Sequence, residues 1–206
     1  MSPSDLKSDI AYMRDLAEAG EQAPLIGGRF LVIWGGLSSI ACIIHWALLA
    51  GHLPITQWAL PAVWAGNGLV GMILTSFMAR GLSHKPGARS IGNRASRAAW
   101  QFVGIGIVFY VFGIAVSVSA LDAEPILFDS ILTVALFGYA IAFSVTAALS
   151  GQKWLYGPAW MSIAGAALSP AFYGRPELYL LCAAIIFFAA LVPGVRMMRN
   201  EPKALV

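Results

Sequence analysis

The 206-residue chain is 59% hydrophobic and 11% charged, whereas soluble domains average roughly 45–50% apolar and about 25% charged. A single core in a chain of this length conceals only part of such an apolar surface. With a mean hydropathy of +0.75, the balance excludes an ordinary soluble protein and calls for a bilayer as solvent. The formal charge is only +3, so the positions of the charges carry more information than their sum.

Residues 1–25 are polar and acid-rich. They lack the basic n-region and apolar h-region of a cleavable signal peptide, so the first apolar stretch is expected to act as an uncleaved insertion signal. A helix is predicted over 5–19, with Ser4 as N-cap and Gly20 as its stop. Leu6, Ile10, Met13 and Ala17 form a narrow apolar stripe, and Asp5, Asp9, Asp15 and Glu18 outnumber Lys7 and Arg14. An interfacial anchor is normally basic on its polar face, so this net-acidic helix is expected to dock on protein.

Six apolar stretches follow, at about 30–50, 56–79, 98–120, 126–149, 154–172 and 178–195. Each can cross a hydrocarbon core of ~30 Å, the fifth only barely. The alternation of barrel strands is absent, and unpaired backbone is not tolerated in lipid, so the spans are read as helices. The predicted fold class is an all-α, polytopic integral membrane protein. A cytoplasmic amphipathic helix and linker occupy 1–25, a six-helix transmembrane domain 26–196, and a cytoplasmic tail 197–206. Pro54, Pro125 and Pro176 each stand just before a returning helix, where a fixed φ and a missing N–H suit the first turn. The chain therefore reads as three consecutive hairpins.

Orientation follows from the loop cations, which resist translocation. Twelve of the thirteen Lys and Arg residues fall before span 1, between spans 2 and 3, between spans 4 and 5, or after span 6; Arg175 alone lies on the other side. Both termini are thus expected in the cytoplasm, in a plasma membrane read as a bacterial inner membrane from short loops and Ala/Gly-rich helices.

Spans 1 to 5 each show a face of small or polar residues, exemplified by Gly106, Tyr110, Gly113 and Ser117 in span 3 and by Ser162, Gly165 and Ser169 in span 5. Such faces let helix backbones approach closely and are expected to line the bundle interior. Span 6 has almost nothing polar and is expected to be peripheral and lipid-facing. Trp46, Trp58, Trp100 and Trp154 fall near span ends as an aromatic belt would place them, whereas Trp34, Trp64 and Trp160 are expected to fill space between helices. Cys42 and Cys182 lie in apolar runs, where a thiol behaves as a small hydrophobe.

Three intramembrane side chains need explaining, because an ionisable or amide group in hydrocarbon costs about 2.5–3.5 kcal/mol or more unless satisfied. They are His45, Asn67 and Asp129. His45 and Asp129 sit at similar depth near the outer ends of spans 1 and 4, so a pair between them is geometrically reachable; Asn67 falls near mid-membrane. They form a candidate polar site, in which His45 binds or relays a proton and Asp129 sets its charge. The plainer alternative is a satisfied interior histidine and an interfacial carboxylate. His52 is placed in the outer loop.

The loop 80–97 carries Arg80, Lys85, Arg89, Arg94 and Arg97 and no acid. Topology anchoring and anionic lipid explain it; the alternative is a docking surface for the acidic N-terminal helix or for a protein partner. Without interleaved aromatics it does not read as a nucleic-acid site. Three histidines split across the membrane supply neither a bis-histidine haem site nor a zinc site, so no metal or cofactor is expected. No GxSxG, HExxH, P-loop or GxGxxG occurs, and no residue set argues for an enzyme.

The leading expectation is a regulatory, scaffold or accessory subunit that acts through protein contacts at its cytoplasmic face. The alternative is a transporter or channel for a small solute or ion. A third reading, an apolar ligand held between helices, has no residue signature. Oligomeric state stays open, since the small-residue faces suit packing within or between chains.

Overall fold

The computed structural model describes residues 6, 8–13, 23–80, 82, 85 and 87–201. Among them every regular element is helical. Helix α1 spans Gly28–Leu49; a short 3₁₀ turn leads into α2, Leu60–Ala79. Helix α3 spans Ile91–Ala120, and α4 spans Ser130–Ser150 after a 3₁₀ segment at Pro125–Asp129. Helix α5, Tyr156–Leu168, is extended at both ends by 3₁₀ turns, Lys153–Leu155 and Ser169–Phe172. Helix α6, Glu177–Ile186, runs through a π-helical segment, Phe187–Leu191, into α7, Val192–Arg199.

Among the described residues, five helical stretches are long and apolar enough to cross a membrane: α1, α2, α3, Pro125–Ser150 and Glu177–Arg199. The fifth predicted span is helical as three consecutive pieces, none of them long enough to cross alone. Of the N-terminal helix expected over 5–19, only Leu6 and residues 8–13 are described. These are helical and exposed, and Leu6, Ile10 and Met13 of the apolar stripe are uncovered; the rest of that segment, with Ala17, lies outside the described residues.

Local chemistry sets several ends. Ser90 caps α3 by accepting from the Asn93 N–H at 3.3 Å, the N-cap arrangement that satisfies one orphan donor. The helix therefore begins well before residue 98 and takes Arg94 and Arg97 into its first two turns. Thirty residues at 1.5 Å each make it about 45 Å long. Gly151, at φ +65°, closes α4 in the left-handed conformation that favours glycine. The π segment has a local cause in Pro193. Proline has no N–H for the helical ladder, and the preceding Val192 N–H reaches back five residues to the Phe187 carbonyl.

The bundle centres on α1, α4, α5 and the α6–α7 stretch. Cys42, Leu132, Leu136, Leu178, Tyr179, Cys182 and Ile186 form one buried cluster; Leu31, Phe143, Ala147, Leu155 and Met197 form another nearer the opposite end. Helix α2 packs chiefly on α1, and α3 chiefly on α4. In their most apolar windows only 6% of the residues are buried, against 50% for Glu177–Arg199.

This reverses two expectations. The sixth apolar stretch is the most buried of the five, not a peripheral helix, because its small residues admit close neighbours. A Cβ on Gly194 would stand 2.8 Å from the Gly28 carbonyl oxygen, and one on Gly35 would stand 2.7 Å from the Leu191 nitrogen. Backbones at that distance gain dispersion where no hydrophobic drive exists between helices. Conversely, the small face of α3 is not interior. Cβ atoms on Gly106 and Gly113 would meet nothing within 4 Å, and Ser117 donates locally to the Gly113 carbonyl. Trp160 is also exposed, whereas Trp34 packs onto Gly71 and donates to Thr75 Oγ1 at 3.0 Å.

Candidate functional site

His45 and Asp129 are both buried at one end of the bundle, and Tyr179 links them. Asp129 ends the 3₁₀ segment that opens α4. Its Oδ1 accepts from the Tyr179 hydroxyl at 2.6 Å and its Oδ2 from the Gly174 N–H at 2.7 Å. Gly174 can present that N–H because φ is +76° there, in the turn between Phe172 and α6. The Tyr179 ring stacks on His45 with centroids 3.5 Å apart and planes at 26°. On the far side of the imidazole, Nδ1 accepts from Trp64 Nε1 at 3.0 Å.

The result is a continuous polar chain from α2 through α1 and α6 to α4 and the 172–176 turn. A carboxylate with two donors is the satisfied state that burial demands, and the imidazole has its Nδ1 acceptor bonded. A bond from Thr133 Oγ1 to the Tyr173 hydroxyl, at 2.7 Å, reinforces the same end. His52 is exposed beside Trp46 in the neighbouring turn.

Asn67 does not join this chain. It lies on the α2 face that carries Trp64 and Gly71, and its Oδ1 is buried with no hydrogen-bond partner among the described residues. No group of three His, Cys, Asp or Glu side chains that could hold a metal occurs among the described residues. Cys42 and Cys182 are free and buried in the core, and Ser169 lies 3.8 Å from the Cys182 sulfur.

The five basic candidates separate at the opposite end. Lys85 is bonded to Glu201 at 2.5 Å, and the same carboxylate oxygen takes Arg29 at 2.6 Å. Arg80 stacks on the Phe77 ring at 4.9 Å. Arg89, Arg94 and Arg97 are exposed. Two residues that sequence reasoning missed hold this end together. One is Glu201, which ties the chain after α7 to the start of α1 and to the 80–90 loop. The other is Asn93: its Oδ1 accepts from the Ile26 N–H at 2.9 Å, and its Nδ2 donates to the Pro24 and Gly87 carbonyls at 2.8 and 3.0 Å.

Compared with protein-family models, curated proteins and solved structures, the chain matches none.

Proposed function

We propose that this is a six-span bacterial inner-membrane protein with both termini in the cytoplasm, serving as a regulatory, scaffold or accessory subunit through protein contacts at its cytoplasmic face. The observation that carries the reading is a division of polar groups between the two ends. At the His45 end, Asp129, Tyr179, His45 and Trp64 bond or stack on one another, which is what a structural lock requires. At the other end, Arg89, Arg94 and Arg97 project into solvent near the Asn93 knot. Separately, the described N-terminal residues expose Leu6, Ile10, Tyr12 and Met13. Exposed arginines suit an acidic protein surface, and an exposed apolar helical stripe suits a partly apolar one. In this reading the fifth span in chain order is the segmented stretch 153–172, which brings the five long helices to six crossings.

The transporter alternative is less well supported, because both Asp129 oxygens are taken by Tyr179 and Gly174 and His45 Nδ1 is taken by Trp64.

Photocrosslinking of the full chain in its native membrane tests the proposal. A photoreactive residue at 89 or 97 is expected to give one discrete protein adduct, weakened at least fivefold by Arg94→Glu. The same probe at Phe102 or Phe109 on the apolar flank is expected to give none. Lipid adducts alone at 89 and 97 would overturn it.

A further inference from the structure

Helix α7 leaves one exposed face that changes character along its length. Leu191, Val192, Val195, Arg196, Arg199 and Asn200 line an open groove of about 610 Å³. The spacing of 192, 195, 196 and 199 puts them on one helical face. Read along the axis, the lining is apolar for its first part and carries two guanidinium groups at the end, over about 13 Å at 1.5 Å per residue. The opposite face of α7, Pro193, Gly194 and Met197, is buried against α1, so the groove face cannot turn inward.

Arg196 is held in place: its guanidinium lies 4.4 Å over the Trp154 ring, and the Trp154 indole N–H is fixed by Gln152 Oε1 at 2.8 Å. That stacking leaves the edge of the guanidinium fork for a ligand, and a planar fork matches phosphate oxygens two at a time. The acid nearest in sequence, Glu201, is engaged by Arg29 and Lys85, so these two arginines keep their charge for something else.

We propose that this groove binds the headgroup of an anionic phospholipid, with the phosphate between Arg196 and Arg199 and an acyl chain along Val195, Val192 and Leu191. The gradient fits an amphiphile at a membrane boundary: two cations stand at headgroup level, a tryptophan stands beside them, and the aliphatic side chains of Val195, Val192 and Leu191 follow from about 1.5 to 7.5 Å deeper than Arg196 along the helix axis. The inference rests on the reading of the apolar helices as membrane-spanning but does not depend on any protein partner.

The test uses the full chain reconstituted in phosphatidylcholine vesicles containing spin-labelled phosphatidylglycerol or spin-labelled phosphatidylcholine. The protein is expected to retain the anionic lipid about tenfold more strongly. Arg196→Gln/Arg199→Gln should reduce that preference to near unity, and Arg196→Lys/Arg199→Lys should keep an intermediate value. Arg89→Gln/Arg94→Gln, which removes equal charge from the same end, should leave it within twofold. Equal loss in the two Gln pairs would mean a diffuse surface charge and overturn the site. So would the absence of any preference, or displacement of the lipid by millimolar glycerol phosphate, which would make the ligand a soluble phosphate. Failure of the chain to co-float with the vesicles would instead refute the membrane-spanning reading. Helical circular dichroism of each variant separates loss of binding from loss of fold.

Discussion

The Tyr179 hydroxyl donates to Asp129 Oδ1 at 2.6 Å while the Tyr179 ring stacks on His45. One side chain thereby joins the two ionisable groups buried at that end of the bundle. Tyr179→Phe keeps the ring and removes the donor, leaving a buried carboxylate one hydrogen bond short. A hydrogen bond to a charged group contributes about 1.5–3 kcal/mol, and about 1 kcal/mol moves the melting midpoint of a chain this size by about 2–4 °C. The midpoint of the purified variant should therefore fall by several degrees. Asp129→Asn should fall too, since it exchanges the charge-assisted bond to Tyr179 for a weaker neutral one. The double variant should show less than the sum, because the residues share the interaction. Additive losses would mean that the bond contributes little.

The glycines predict opposite outcomes at different places. Gly28→Ala and Gly194→Ala push a methyl into backbone at 2.7 and 2.8 Å, so each should lower the melting midpoint strongly by separating α1 from α7. Gly66→Ala and Gly104→Ala enter open space and should be neutral or stabilising by up to about 1 kcal/mol, the helix propensity difference. Equal behaviour of the two sets would contradict the packing described.

Asn67→Leu replaces an unpartnered buried acceptor with an apolar side chain of similar volume. Removing an unsatisfied polar group relieves its desolvation penalty, about 1–3 kcal/mol. The variant is expected to melt at the same temperature or higher; a clear loss of stability would show that Asn67 has a partner in the membrane.

Glu201 bridges Arg29 and Lys85 with a side chain that is 7% exposed. Glu201→Gln should loosen the chain after α7 and the 80–90 loop together, seen as several-fold faster trypsin cleavage after Arg199 and after Arg89. Raising ionic strength should produce part of that effect in the parent protein, since these pairs are only partly buried and salt screens them. Unchanged cleavage at both positions would contradict the bridge.

Helix positions were legible in the sequence because apolar length alone marks them: α1 at Gly28–Leu49 and α2 at Leu60–Ala79 lie close to the stretches read from composition. Lateral order was not legible. The 178–195 stretch was misplaced because its burial depends on Gly28 and Gly35 of a distant helix, and nothing local distinguishes an alanine against a helix from one against lipid. Gly106, Gly113 and Ser117 misled in the other direction, since a serine that bonds the carbonyl four residues back needs no interior. The similar depth of His45 and Asp129 was readable, but their connection runs through Tyr179, in a stretch with almost no other polar side chain. Asn93 and Glu201 are single residues outside any periodic pattern, so no sequence signal could have marked them.

The account depends most on the bundle crossing the membrane six times with its basic end in the cytoplasm, and thiol labelling reads that directly. In a Cys42→Ala/Cys182→Ala background, single cysteines at positions 89, 122, 152, 175 and 199 are exposed to a membrane-impermeant thiol reagent in right-side-out and inverted vesicles. The account predicts labelling of 89, 152 and 199 only from the cytoplasmic side, and of 122 and 175 only from the outside. Labelling of 152 and 175 from the same side would mean that the 153–172 stretch does not cross, and would contradict the account.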